Sequence, residues 1–214
     1  MNQFPETVAA RLAPWRELPI AVPAAHEADI EQIHKLIASL TKAEEAHRDG
    51  DPALSERAYL AGYDLTGLVD EPTLVLRYRS KPSISLPGVP LLPFAAGQKI
   101  HLFAGVSICK TAYIRSGVEG VDPVQTKVPV IDKRARTRWL LDRQSQIGVT
   151  IQDVEMTDSI GRPFKRGRKK GHFIETRFEA RATIVDEAAF ADALLRGIGR
   201  AKAYGFGLIQ YLPA

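Results

Sequence analysis

The chain has 214 residues, 45% of them hydrophobic, one cysteine and a formal charge of +4. That composition suffices for a packed core in one large domain or two small ones, and the single Cys109 excludes an internal disulfide. No stretch approaches the roughly 18–20 apolar residues of a membrane span, and MNQFPETVAARLAPW lacks the start of a secretory signal, so a cytoplasmic, membrane-free protein is expected.

Glu17 to Val22 (ELPIAV) reads as a short strand. In the following segment Ile30, Ile33, Ile37 and Leu40 recur at helical spacing, which predicts an amphipathic helix ending near Gly50. RAYLAGYDL and TLVLRYRS are turn-bounded apolar runs and read as two more strands. A proline-rich connection, Lys81 to Gly97, leads into QKIHLFAGVSIC, a fourth strand expected to complete the first half; Cys109 at its end is expected to be buried.

RSGVEGVDP reads as a linker, which puts the domain boundary at 115/116 and gives units 1–115 and 116–214. The pattern then restarts. VQTKVPV is predicted as a strand and DKRARTRWLLDRQSQIG as one helix, followed by the strands VTIQDVEM and HFIETRFEARATIV, joined by a basic segment. DEAAFADALLRG is a helix with acids in its first turn and Gly197 at its end, and YGFGLIQYL is the last strand. Strand, helix, strand, strand, helix, strand is the ferredoxin-like order, so the expected architecture is α+β with two tandem ferredoxin-like (RRM-like) domains.

A mildly positive chain permits a polyanionic partner without requiring one, so the distribution of charge matters more. Arg162, Lys165, Arg166, Arg168, Lys169 and Lys170 fall within nine residues that hold no acid. On the segment Asp132 to Arg143, Arg134 and Arg138 lie four apart on one helical face, although Asp132 and Asp142 are close enough to pair with some of that charge. A charge run is usually a solvated face, but Gly161, Gly167 and Gly171 suit this one to bend along a strand of RNA.

RGIGRAKAYGFGL places Gly197, Gly199, Gly205 and Gly207 around Arg200 and Lys202. A dinucleotide fingerprint or P-loop requires a strand, then glycines, then a helix; here a helix precedes and a strand follows, and no GxxxxGK[ST] occurs. Two readings remain. The glycines cap a helix and ease close packing, or they let the backbone approach a phosphate whose charge Arg200 and Lys202 meet; the array with its two cations favours the second.

GIGRAKAYGFGL resembles the glycine-rich signature of CRISPR repeat-processing endoribonucleases of the CasE type, within the repeat-associated mysterious protein superfamily. GQKIHLFAGVS and KVPVIDKRARTRWLLDRQSQIGVTI are similar to that family as well. The resemblance implies two ferredoxin-like domains that bind the stem-loop of CRISPR repeat RNA and cleave it at one site without metal or other cofactor. It also implies attack by a 2′-hydroxyl, a 2′,3′-cyclic phosphate product, and retention of the mature RNA in an interference complex with other subunits.

By the same resemblance the catalytic histidine lies on the first helix, where His34 and His26 compete and QIHKLIASLTK favours His34. Histidine suits the proton transfers because its pKa lies near neutrality. Relatives commonly carry a tyrosine three residues earlier, and Glu31 stands there; Lys35 or Lys42 is the expected source of positive charge instead. His47, His101 and His172 have no partners at metal-ligand spacing, and no paired carboxylates suggest a two-metal nuclease. A non-cleaving RNA-binding subunit of an effector complex is the second reading; a metabolite-binding domain pair leaves the basic run unexplained.

Overall fold

The structure, a computed structural model, describes residues 7–22, 30–45, 59–66, 68, 73–79, 86–114, 122–156, 159–166 and 169–214. The first sheet is built from β1 (Trp15–Ala21), β2 (Tyr59–Tyr63), β3 (Thr73–Arg79) and β4 (Val89–Pro90), in the order β2-β3-β1-β4 with antiparallel pairing throughout. A short helix, α1 (Val8–Leu12), precedes it, and α2 (Ile30–Glu45) covers one face. The helical spacing read from sequence is what makes α2 amphipathic: Ile33 and Ile37 are buried against Val22, Leu74, Leu76 and Tyr78.

The second sheet contains β5 (Lys99–Ser107), β8 (Val149–Met156), β10 (Lys169–Ile184) and β11 (Ile209–Pro213), in the order β11-β5-β10-β8. Numbered within each sheet, both orders are 4-1-3-2, the ferredoxin-like arrangement, so the expected fold class is found. Helices α3 (Lys133–Leu141), α4 (Gln144–Ile147) and α5 (Glu187–Arg196) supply Leu140, Ile147, Phe190 and Leu194 to the second core. Asp132 and Asp186 cap α3 and α5, accepting from the Ala135 and Ala189 N–H groups at 2.7 and 2.9 Å. Tyr211 donates its hydroxyl to Leu92 O, and burial pushes that phenol well above its usual range.

Strand membership differs from the expectation in two places. The strand Lys99–Ser107 does not close the first half: it pairs with β10 and β11 and is the first strand of the second sheet. The place it was expected to fill is taken by the two-residue β4. VQTKVPV is not the second fold's first strand either; as β7 (Val124–Pro129) it forms a separate hairpin with β6 (Cys109–Ile114). The expected boundary at 115/116 lies outside the described residues, between β6 and β7 in the chain. The single helix expected over Asp132 to Gly148 is two, because Asp142 caps α3 and the chain re-enters α4 after Arg143. Cys109 is half-buried.

A polar seam joins the two halves. Arg77 on β3, 1% exposed, donates to Glu17 Oε1 (2.8 and 2.5 Å), to Leu194 O (2.6 Å) and to Ile209 O (2.7 Å). Gln210 on β11 accepts from Leu65 N–H (3.0 Å) and donates to Tyr63 O (2.6 Å). Arg77→Met would leave two carbonyls and a carboxylate without their donor, so it is expected to cost about 3–5 kcal/mol of stability. Urea unfolding measures this, and a loss under about 1 kcal/mol would contradict the role given to the seam.

Candidate nucleic-acid interface

Helix α2 is held by its isoleucines against the first sheet, and its other neighbours are a 3₁₀ turn at Lys202–Tyr204 and the strand β9 (Ile160–Arg166). His34 occupies the position after the buried Ile33, whose Cγ2 lies 3.8 Å from where Gly205 would carry a Cβ. The backbone thus brings the His34 position next to the glycine-rich segment, as required if both act on one phosphate. His26 lies outside the described residues. Lys35 is exposed, and its Nζ is 3.7 Å from Glu31 Oε1, one helical turn back. The residue that stands in the tyrosine position therefore draws on the charge that Lys35 was expected to supply.

The glycine-rich segment is a closed loop. Ile198 N–H donates to Gly207 O at 2.9 Å, Gly207 N–H donates to Gly105 O at 2.7 Å, and Arg200 bridges to Ser107 at the end of β5. A Cβ on Gly197 would stand 2.5 Å from Gly207 O, and one on Gly207 would collide with Ile198 O; the two glycines have φ of +64° and +83°. For these two positions close packing is sufficient reason for glycine. Lys202 also serves the loop, donating to Gly197 O at 3.0 Å. Arg200 is exposed, and Ala201 beside it has a left-handed φ of +57°. A non-glycine residue there is held by its surroundings, a form of strain concentrated at functional sites.

The basic segment is the tip of a β-ribbon. β9 pairs with Lys169–Glu175, whereas β5 meets β10 only from Glu175 onward, so the ribbon projects beyond the main sheet. Lys165 and Arg166 stand opposite Lys170 and Lys169 in the register, and Arg168 lies outside the described residues. At the root, Phe173 packs with Phe164, Tyr204 and Phe206 at centroid distances of 4.9, 5.1 and 5.6 Å, which ties the ribbon to the glycine loop.

Arg162 does not join that basic tip. Its side chain is buried, with Nε 2.8 Å from Oε2 of Glu175, which is itself 2% exposed, and its guanidinium lies over the Tyr63 ring at 4.5 Å. Arg177 adds a second cation to Glu175, Nε to Oε1 at 3.2 Å. The acid-free run from Arg162 to Lys170 conceals this pairing because the carboxylate comes from the facing strand. On α3, Arg134 and Arg138 are exposed as expected, but Arg138 is tied to Asp142 at 2.6 Å. Arg136 between them is not among the expected site residues, yet it is buried, donating to Ile131 O at 2.5 Å and to Ser159 Oγ. The 3.6-residue period would have assigned it to the inner face.

Two cavities flank the glycine loop, and Arg200 and Ala201 line both. One, of about 320 Å³, has His172, Phe173, Tyr204 and Lys127 on its wall. The other, of about 520 Å³, opens between α1, the ends of β1 and β3, and α5. Among the described residues no three of His, Cys, Asp and Glu converge as metal ligands, and no helix is long and apolar enough to cross a membrane.

Residues 111–213 match the sequence model of a family described as CRISPR associated protein. Comparison with curated protein sequences gave no match. Among solved structures, Cas6e from Escherichia coli K-12 superposes with a TM-score of 0.67 at 20% identity, covering 94% of this chain and 99% of that one. Thermus thermophilus Cse3 bound to an RNA representing a pre-cleavage complex also gives 0.67, at 18% identity over 93% and 98% of the two chains. A chain of a CRISPR RNA-guided surveillance complex gives 0.61 at 21% identity, over 94% and 100%. The resemblance first carried by GIGRAKAYGFGL thus holds at two levels: residues 111–213 match the model of the CRISPR associated protein family, and the chain has the fold of the Cas6e and Cse3 structures.

Proposed function

We propose that this protein is a CRISPR RNA-processing endoribonuclease that binds the stem-loop of a repeat transcript, cuts it once and keeps the product. One observation carries the reading: the helix that bears His34 lies against the loop that bears Arg200, and a cationic ribbon projects from the same place. This arrangement supports a surface on which proton transfer, phosphate neutralisation and stem binding act together. In the proposed reaction the 2′-oxygen attacks phosphorus and loses its proton, and the P–O5′ bond breaks. The 5′-oxygen is then protonated, leaving a 2′,3′-cyclic phosphate. His34 takes the proton from the 2′-hydroxyl, solvent supplies the one that the 5′-oxygen gains, and Arg200 carries the charge on the phosphate; no metal ion is needed for these tasks.

Incubating the protein with a transcript of its cognate CRISPR repeat should give one cut, and an intact transcript under all conditions would refute the activity. The ribbon has its own expected result. Replacing Lys165, Arg166, Lys169 and Lys170 together with alanine should weaken stem-loop binding and reduce the log–log salt slope by about 0.9 for each phosphate that is no longer neutralised. An unchanged slope, measured by fluorescence anisotropy across a salt series, would show that the ribbon tip only faces solvent.

A second reading, an RNA-holding subunit that does not cut, draws on the Glu31–Lys35 pair. A carboxylate close to the His34 position competes with phosphate for the nearby lysine, and a non-cleaving protein would tolerate that arrangement. Binding of the repeat without any product would favour this reading.

A further inference from the structure

We infer that the larger cavity beside the glycine loop is a second RNA site, which takes the single-stranded segment flanking the stem; the inference rests on the RNA-binding function proposed above. The cavity, of about 520 Å³, is lined by Arg11, Arg79, Arg196, Arg200 and Lys202, and no acid is among its described lining residues. Exposed cations facing one hollow, here Arg79 and Arg200, repel each other unless an anion or solvent screens them. Arg79 and Arg200 are both exposed and meet no carboxylate among the described residues. Arg11 is different: it is held by Asp192 on α5, which fixes α1 across the mouth of the cleft.

The shape selects a strand over a duplex. A cavity of this size falls within the roughly 300–1,000 Å³ typical of sites for molecules of nucleotide size, and an A-form stem is far too wide to enter it. Pro14 and the edge of the largely buried Trp15 give one wall an apolar surface beside the cationic track. The cations are also drawn from separate elements, α1, β3, α5 and the loop, and so are spread along the cleft instead of converging on one point as they would for a small anion. Arg200 then has a defined place. It lines this cleft and also the aromatic cavity on the far side of the loop, so a strand leaving the site of cleavage reaches the cleft without crossing a gap in positive charge.

The test compares a blunt repeat hairpin with the same hairpin carrying a short oligouridine extension on its 5′ or its 3′ side, with 2′-deoxyribose at the base of the stem so that each RNA stays whole. For the wild-type protein one of the two extensions should tighten binding and steepen the log–log salt slope by about 2, the effect of three single-strand phosphates at about 0.7 each. Arg11→Ala with Arg79→Ala should abolish that gain and leave the affinity for the blunt hairpin unchanged. Arg79→Gln alone, a change at an exposed side chain, should remove part of it in a protein of unaltered thermal stability.

The inference is overturned if neither extension changes affinity or slope, if the variants retain the gain, or if they weaken the blunt hairpin as much as the extended ones. The last result would place the stem itself in the cleft. A wild-type protein that fails to bind the blunt hairpin would instead overturn the stem-binding function, so the two failures are distinct.

Discussion

His34→Ala is expected to slow cleavage of the repeat stem-loop by about 10²–10⁴-fold in single-turnover assays, the usual range for loss of a general acid or base. Affinity for the RNA should hardly move, because the residues proposed to grip it belong to the ribbon and the glycine loop. The fold should also survive, since α2 is anchored by Ile33 and Ile37. His26→Ala gives the internal comparison. If that change produces the loss and His34→Ala does not, the catalytic group sits before the helix and the register assumed for QIHKLIASLTK is wrong. Excess chelator should leave the wild-type rate unchanged, because neither proton transfer nor charge neutralisation is assigned to a metal. A chemical step that stops in chelator would remove the proposed mechanism whatever the histidine variants do.

Local patterns were legible in the sequence, and pairings between distant segments were not. The isoleucine spacing on α2 and the acidic first turn of α5 depend on neighbours a few residues away, and both helices were found where they were expected. Which sheet β5 joins depends on β10 and β11, some seventy or more residues later, and a run such as IHLFAGVS fits the centre of either sheet equally well. The same distinction explains the site residues. The basic ribbon was visible as a run of charge, but Arg162 looked like part of it because Glu175 reaches it only through strand pairing. Arg77 and Gln210 join the two halves by hydrogen bonds to backbone groups remote in sequence, and side-chain type alone gives no sign of such a seam. The glycine array lay between these extremes. Its turn-forming character was evident, while the packing of Gly197 against Gly207 and the position of Arg200 between two cavities required the folded chain.

A repeat RNA in which the nucleotide upstream of the cut carries 2′-deoxyribose should bind nearly as well as the natural one and remain intact. Binding should persist because the stem, all the phosphates, the ribbon with Lys165, Arg166, Lys169 and Lys170, and the loop from Gly197 to Gly207 are unaffected by the missing oxygen. Loss of one hydrogen bond to that hydroxyl would cost about 0.5–1.5 kcal/mol, or roughly a tenfold change at most. That is far too small to resemble a block of cleavage. In the proposed reaction the 2′-oxygen is the attacking atom, so its removal leaves no nucleophile on the RNA and no path to a cyclic phosphate. Competition anisotropy against the unmodified repeat, with the products resolved on a denaturing gel, reads both quantities in one experiment. Efficient cutting of the modified RNA at the same bond would identify water as the nucleophile. It would also take from His34 the task of accepting the 2′-hydroxyl proton.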